Sequence, residues 1–294
     1  MVASTAYRES AAGEMKISFI VLTYNRTDAL LAVLRSLSAQ CNAEHEVLVA
    51  DDGSRQDQVE MLFERCPAFK CPVRHVWHAD VGFTAARARN TAARLAQGHY
   101  LVFLDGDCIP NKTFVARHTL LATPGFFVNG SRVLLSKNLT AQVISGAIDL
   151  PDCTAFFWWR ARLRGDTNKL LHLLNWPVDL FRVKKGFQWR GIRSCNFGIW
   201  RRDFVSINGF DETFKGWGHE DADLVLRLSH LGVQRKNGFM ATEVFHLWHP
   251  ESKRDQESVN KNRVMQRMKT NLVLSEKGLR ELDSSAPLKI TQLH

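Results

Sequence analysis

The sequence predicts an α/β fold in which a mixed, mainly parallel sheet is flanked by helices. Short apolar runs rich in β-branched residues alternate with segments of helical periodicity from residue 17 to residue 104. This alternation is typical of a parallel sheet with helices on both faces. Several of the apolar runs end directly in short polar segments, and sheets of this class bind ligands at the carboxyl ends of their strands.

The first part of the chain supplies these elements in a regular order. The predicted strands cover 17–22, 46–50, 73–78 and 99–104, and the predicted helices cover 28–40, 56–65 and 82–98. Each strand is a continuous apolar or aromatic run, as expected for strands that are buried on both faces. The last of the three helices is rich in Ala and Arg and is closed by Gly98, a residue that commonly ends helices.

The alternation breaks down after about residue 125. Residues 152–193 are dense in Trp, Arg and Lys, and we interpret them as helices or lid-like loops. The later predictions are a strand, a helix and a loop over 195–214, a helix from the acidic stretch GWGHEDADL to Gly232, a strand at 242–245, a helix at 256–274 and a weakly structured end. We therefore expect a flexible N-terminus at 1–15, one domain with halves at 16–125 and 126–250, and a helical C-terminal tail at 251–294.

Composition limits the classes of function. The 294 residues are 45% hydrophobic, which excludes disorder of the whole chain. The formal net charge of +9 favours an anionic partner, such as nucleic acid, an anionic lipid surface or a phosphorylated substrate. The sequence contains no recognised nucleic-acid fold pattern, so we exclude the first of these.

Cysteine usage and the first residues bear on the compartment. The six cysteines have neither CxxC spacing nor a paired Cys/His zinc pattern, so we expect free thiols in a reducing compartment. No apolar run precedes Lys16, which indicates neither a signal peptide nor a membrane anchor. We expect a cytoplasmic protein.

The polar strand ends supply candidate binding residues. Asp105-Gly106-Asp107 follows an apolar strand directly, and two carboxylates at such a place can share a hard divalent cation that also binds phosphate oxygens. In a parallel sheet, residues 51–54 and 23–26 would open onto the same edge. There Tyr24 could stack on a base, Asp52 could accept from a pyrimidine N–H, and Arg89 could meet a phosphate. Taken alone, each segment is equally typical of a turn or a helix N-cap.

Four motifs together resemble a known family. IVLTYNR, VADDGS, GFTAARARN and YLVFLDGDCIP, in this order over residues 16–125, resemble the nucleotide-sugar half of a family 2 glycosyltransferase with the GT-A (Rossmann-like) fold. NFGIWRRDFVSINGFDETFKGWGHEDADLVLRL resembles the galactosyltransferase-like region that β-1,4-galactosyltransferases share with bacterial chondroitin-type polymerases, which extends the match to about residue 250. The resemblance implies a single catalytic domain with an acceptor-side insertion.

The resemblance also implies roles for residues on the donor side. Nucleotide-sugar binding would fall to Thr23, Tyr24, Arg26, Asp52, Arg89, Asp105 and Gly106. A cation would be held by Asp107, His246 and Asp105, with His249 ranked below His246. An imidazole ligand suits Mn²⁺ better than Mg²⁺, which remains the alternative.

The acidic stretch would form the acceptor side. By resemblance, Trp217 and Gly218 pack near the acceptor sugar, Glu220 holds the acceptor, and Asp221 is the general base that deprotonates the attacking hydroxyl. An aromatic wall would desolvate the carboxylate and raise its proton affinity. The alternative is a helix N-terminus that favours acids through its dipole, with Trp217 in the core. For Asp223 we prefer this structural interpretation.

The expected function is inverting, metal-dependent transfer of a hexose or N-acetylhexosamine from a UDP-sugar to a bacterial surface glycan: lipopolysaccharide core, O-antigen or capsule. The basic, Trp-rich segment 152–193 would suit an anionic membrane surface at the inner face of the cytoplasmic membrane, or an anionic glycolipid acceptor; a solvated basic face is the alternative. A non-catalytic nucleotide- or sugar-binding module remains the other class, although the five residues Asp105, Asp107, Glu220, Asp221 and His246 are all present. A nucleotidyltransferase would need a Gly-rich phosphate loop, which LTYNRTDAL is not.

Overall fold

The computed structural model describes residues 15–170, 173–174, 176, 179, 181–189, 191–250, 254–282 and 287–294. The predicted flexible N-terminus at 1–15 lies outside the described residues except for Met15. Among the described helices, none has the length and apolar character of a membrane span.

The described residues form twelve strands and nine α-helices. The strands are β1 (Ile17–Thr23), β2 (His45–Asp51), β3 (Val73–His78), β4 (Tyr100–Asp105), β5 (Cys108–Pro110), β6 (Phe126–Asn129), β7 (Ser131–Leu134), β8 (Val183–Lys184), β9 (Asn196–Trp200), β10 (Gln234–Asn237), β11 (Glu243–His246) and β12 (Leu288–Gln292). The helices are α1 (Thr27–Ser38), α2 (Gln56–Arg65), α3 (Ala85–Leu95), α4 (Phe114–Leu121), α5 (Lys137–Ile144), α6 (Ala155–Leu163), α7 (Arg201–Ser206), α8 (Glu220–His230) and α9 (Glu257–Arg267).

Most strands belong to one mixed sheet. Its order in the described part of the chain is β12-β3-β2-β1-β4-β9-β6-β10-β8, and β5, β11 and β7 form a second, small sheet. The neighbours β3, β2, β1 and β4 run parallel, whereas β9 is antiparallel to both β4 and β6. The predicted fold class, a mixed sheet flanked by helices, is confirmed.

Each face of the parallel strands has its own hydrophobic core. Phe19 packs on one face with Leu30 and Leu34 of α1. Ile20 points to the other face and packs with residues of α3, which are mostly alanines. Because small side chains let a helix approach a sheet closely, α3 packs directly on β1, β2 and β3.

The predicted helix at 82–98 is shorter than expected, since α3 covers only Ala85–Leu95. At its start, the backbone N–H of Thr84 donates to Asp52 (2.9 Å), which holds the preceding residues as a loop. At its end, Glu46 accepts from the N–H groups of Gln97 (2.6 Å) and Gly98 (3.1 Å). At the C-terminal end, the Glu46 side chain of β2 thus takes N–H groups that would otherwise continue the helical hydrogen bonds.

The C-terminal segment differs from the sequence prediction. The last helix ends at Arg267 instead of 274. The end of the chain is not weakly structured as predicted, because β12 pairs antiparallel with β3 and forms one edge of the large sheet. Its side chains are mostly exposed, so the strand has no apolar pattern to read, and its position is fixed by backbone pairing.

Candidate active site

The carboxyl ends of β1, β2 and β4 lie side by side at one edge of the sheet. Strand pairing places Leu22 beside Asp105 and Thr23 beside Asp51. Gly106 turns the chain directly against β1, where its N–H donates to the Leu22 carbonyl (2.7 Å) and an added Cβ would lie 2.8 Å from that oxygen. Only glycine fits so close an approach, and the predicted convergence of the polar strand ends is thus observed.

The two aspartates after β2 have different partners. Asp51 accepts from the backbone N–H of Ser54 (2.8 Å), and its other oxygen lies 2.8 Å from His75 Nε2. Asp52 accepts from the hydroxyl and the N–H of Thr84. Burial alone would lower the pKa of His78. The Asp52 carboxylate lies 3.3 Å from His78 Nε2 and favours the charged imidazolium more strongly, so the pKa of His78 is raised. Asp52 is therefore a buried carboxylate that is already held in place.

Tyr24 and Thr23 face the same crevice with different groups. Tyr24 is 48% exposed, and its hydroxyl donates to Asp80 (3.0 Å). The Thr23 hydroxyl is buried and lacks a hydrogen-bond partner among the residues that the structure describes. Arg26 pairs instead with Asp28 in the first turn of α1 (3.5 Å).

Asp107, directly before β5, lies near two histidines, one at the end of β11 and one shortly after it. Its carboxylate lies 3.8 Å from His246 Nε2 and 3.4 Å from His249 Nε2, so the lower-ranked His249 is the nearer one. Burial lowers the pKa of His246 although Asp107 opposes the shift, which leaves the imidazole in its neutral, metal-binding form. Cys108 lies in the same cluster, but burial raises the pKa of its thiol, and a protonated thiol is a poor ligand.

The donor set fits a divalent cation. One carboxylate and two imidazoles suit Mn²⁺, which accepts both kinds of ligand, better than Mg²⁺, which prefers oxygen. Asp107, Cys108 and His246 form the cluster whose ligand atoms all lie within 4.8 Å of one another. Asp105 does not belong to it, and His249 approaches it through Asp107, at 3.4 Å.

Arg89 joins Asp105 to the acidic stretch. Its Nη2 donates to Asp105 Oδ1 (2.8 Å), and its Nη1 lies 3.8 Å from Glu220 Oε1. Burial alone would lower the pKa of Arg89, but the charges of Asp105 and Glu220 have the larger effect and raise it. The structure thus places Arg89 against carboxylates and nearly out of solvent, whereas the sequence predicted an open phosphate contact.

The loop before α8 owes its shape to positive φ angles. Gly216 (69°), Gly218 (107°) and His219 (70°) all have them, and such angles favour glycine. Asn260 of α9 clamps this loop by donating to two of its carbonyl oxygens, each at 3.0 Å. Trp217 is 37% exposed, so the alternative that placed it in the core is wrong.

The acid pair begins α8. Burial, and then the charge of Glu220, raises the pKa of Asp221 to about 7, although Arg89 and Arg193 oppose the shift. Asp221 Oδ1 accepts from the N–H of Ala222 (2.7 Å). A carboxyl with this pKa is about half ionised at neutral pH, which is the condition that suits a general base.

Asp223 has a structural role, as the sequence analysis preferred. It is fully buried and pairs with Arg227 (2.7 Å) and Arg267 (2.6 Å). Arg267 also pairs with Asp211 (2.8 Å). This network ties α8 to α9 and carries no group that faces the crevice.

Comparison with known proteins gives family matches for two parts of the chain. Residues 18–133 match the family model described as glycosyl transferase family 2, and residues 179–250 match the N-terminal domain of galactosyltransferase. Over residues 18–133 the chain carries a family 2 glycosyltransferase domain. The predicted resemblance is therefore confirmed for both parts of the chain.

Relatives of the glycosyltransferase domain occur in longer proteins. The chain is 29% identical over 231 residues to validoxylamine A glucosyltransferase of Streptomyces hygroscopicus, covering 74% of this chain and 52% of that protein. It is 29% identical over 244 residues to hyaluronan synthase of Pasteurella multocida (76% and 24%). It is 26% identical over 239 residues to chondroitin synthase of Escherichia coli (74% and 32%). The chain thus spans about half the length of the first relative and less of the others.

Solved structures share the GT-A fold of this glycosyltransferase domain. TarS 1–349 of S. aureus in complex with UDP gives a TM-score of 0.57 at 15% identity, covering 91% of this chain and 68% of that one. The mannosyltransferase PcManGT of Pyrobaculum calidifontis, in complex with GDP-Man and Mn²⁺, gives 0.51 at 14% identity, covering 88% and 72%. At these identities the likeness establishes the fold alone.

The sequence analysis missed two residues of this crevice. Asp80, the partner of Tyr24, and Thr84, the partner of Asp52, lie in the loop between β3 and α3. The signal that was available is their position after a third strand of the same parallel group, whose end must open onto the same edge.

Proposed function

We propose that the chain is an inverting, metal-dependent glycosyltransferase that moves a hexose or N-acetylhexosamine from a UDP-sugar to a hydroxyl of a bacterial surface glycan. The observation that carries the proposal is the joining of two chemically distinct centres in one crevice. Asp107 and its two histidines form one centre, and Asp221 forms the other. Arg89 pairs with Asp105, two residues before Asp107, and with Glu220, the neighbour of Asp221 in the chain.

The donor would bind along the ends of the parallel strands. The exposed ring of Tyr24 offers a stacking face for the base, and the Thr23 hydroxyl still needs a partner. Asp52 lies beneath them, with Thr84 fixing its orientation. The neighbours TarS in complex with UDP-GlcNAc and PcManGT in complex with GDP-Man support a nucleotide-sugar donor.

Asp107, His246 and His249 would hold Mn²⁺ in this proposal. When bound, the cation would neutralise the charge of the departing nucleoside diphosphate. Asp105 is held by Arg89 and so is positioned for the nucleotide sugar. Neutral His246 needs no deprotonation before it binds a metal.

Asp221 would deprotonate the acceptor hydroxyl. The hydroxyl oxygen forms a bond to the anomeric carbon, the bond from that carbon to the diphosphate oxygen breaks, and the proton passes to Asp221. Attack opposite to the leaving group inverts the anomeric carbon, so an α-linked donor gives a β-glycoside. Trp217, Gly218 and Glu220 lie next to this carboxyl in the chain and would orient the acceptor.

Helix α6 supports a peripheral contact with an anionic membrane or glycolipid. Phe156, Trp159 and Leu163 are 64%, 52% and 68% exposed, and their spacing places them on one helix face. Arg160 and Arg162 lie between them in the sequence. Exposed aromatic and apolar side chains beside arginines are the pattern of helices that lie on a membrane surface.

Calorimetric titration with UDP, GDP, CDP and dTDP, with and without Mn²⁺, tests the donor half. We expect UDP to bind tightest and only with the metal, and we expect Asp107→Asn to abolish the metal requirement together with tight binding. Asp223→Glu is the matched control, because its carboxyl lies in the buried network. Metal-independent binding, or no binding of any nucleotide, would contradict the proposal.

A further inference from the structure

A basic cavity opens beside the crevice. Its volume is about 450 Å³, within the range of pockets that hold small ligands. Four cationic side chains from separate elements contribute to its lining: Arg132, Lys169, Arg193 and Arg235. No residue of this cavity belongs to the donor or acid groups described above.

The cavity lies close to both reactive centres. Arg193 acts electrostatically on Asp221, and Arg132 acts on His246. Strand pairing explains the second contact, because β7, which carries Arg132, runs parallel to β11 and pairs Leu134 with His246. Two of the four cations are therefore near enough to the reactive groups to act on them.

The positive charges in the cavity lie near enough to act on one another. Arg132 and Arg193 have no ion pair among the residues that the structure describes. Burial lowers the pKa of Lys169, and both arginines lower it further while Glu243 opposes the shift. Burial and then Arg193 also lower the pKa of Arg235. Like charges held together in this way repel one another, and a bound anion would relieve that repulsion.

We propose that this cavity binds an anionic group of the acceptor, either a phosphate or a carboxylate carried on a sugar. The inference rests on the proposed glycosyltransferase function, in which Asp221 activates a hydroxyl of that same acceptor. Arginines can grip either anion through two parallel hydrogen bonds. The cavity would thus select charged glycans over neutral ones. The acceptor would then be an anionic glycan, a substrate class that the transfer reaction by itself does not determine.

The test is calorimetric titration with glucose 6-phosphate, glucuronic acid and glucose in the presence of UDP and Mn²⁺. We expect one or both anionic sugars to bind roughly tenfold or more tightly than glucose, as the loss or gain of a charged hydrogen bond implies. Arg193→Gln and Arg132→Gln should each remove most of that preference. Arg193 is exposed, so its replacement leaves the fold intact. Arg65→Gln at the end of α2 is the matched control, because Arg65 is exposed and its replacement changes the net charge equally outside the cavity.

Each outcome decides between the two hypotheses. Equal binding of the three sugars, or an equal loss in Arg65→Gln, would overturn the cavity assignment while metal-dependent UDP binding still supported the transferase. Anionic sugar binding without any UDP binding would leave only an anion site and overturn the assignment to an acceptor. A preference for phosphate over carboxylate, lost in the two cavity variants, would identify the anion.

Discussion

Replacing Asp221 with Asn should stabilise the protein while it slows transfer. The folded-state pKa of about 7 lies above the ordinary value of 3.8, so the folded protein binds the proton more tightly than the unfolded chain does. The contribution of Asp221 to stability is then highest below about pH 4 and falls as pH rises through the folded-state pKa of about 7. At about 1.4 kcal/mol for each pH unit, the penalty of ionisation reaches about 4 kcal/mol above pH 8, and the neutral amide avoids it.

Urea unfolding of wild type and Asp221→Asn at about pH 4.5, 7 and 8.5 measures this difference. We expect the advantage of the variant to be small at the lowest pH and to reach about 4 kcal/mol at the highest. Asp223→Asn is the control, since the same change there leaves Arg227 without its buried carboxylate partner and Arg267 with one fewer, and it should cost about 3 kcal/mol. An Asp221→Asn advantage that does not grow with pH would refute the assigned environment.

Three further outcomes follow from the same geometry. Arg89→Met should lower the free energy of unfolding in urea by about 3 kcal/mol, because Asp105 and Glu220 lose their buried cation. The same variant should move the rise of the pH–rate profile above pH 7. An unchanged profile would contradict this. His246→Ala and His249→Ala should each raise the Mn²⁺ concentration for half-maximal UDP binding about tenfold or more, and unchanged values in both would exclude the cation site. Gly218→Ala, at φ 107°, should cost about 1–3 kcal/mol in urea unfolding; no loss would mean the loop does not need glycine.

The parallel half of the fold was predictable because its signals are local. β1, β2 and β4 are buried almost throughout, and such strands must be continuous apolar runs. The polar residues that follow them then converge by topology alone. β12 was not predictable for the opposite reason, because an exposed edge strand is specified by the backbone of its neighbour and leaves no pattern in its own side chains.

The site was only partly predictable because its electrostatics depend on distances between separate elements. The raised proton affinity of Asp221 was expected from an aromatic neighbour, but burial and Glu220 cause it. Arg89 was taken for a phosphate ligand, since no local pattern reveals that α3 carries it to the start of α8. The four cations of the basic cavity are equally scattered along the chain and meet only in the folded structure.

Release of UDP from a panel of UDP-sugars, with water as the acceptor, tests the central claim most directly because it needs no known acceptor. We predict slow, Mn²⁺-dependent release by the wild type with at least one UDP-hexose or UDP-N-acetylhexosamine. Asp107→Asn should lose UDP release because it removes a ligand of the metal site. Asp221→Asn should also lose UDP release, while its UDP binding stays near that of the wild type. Equal release by the wild type and both variants, or release without metal, would contradict the account.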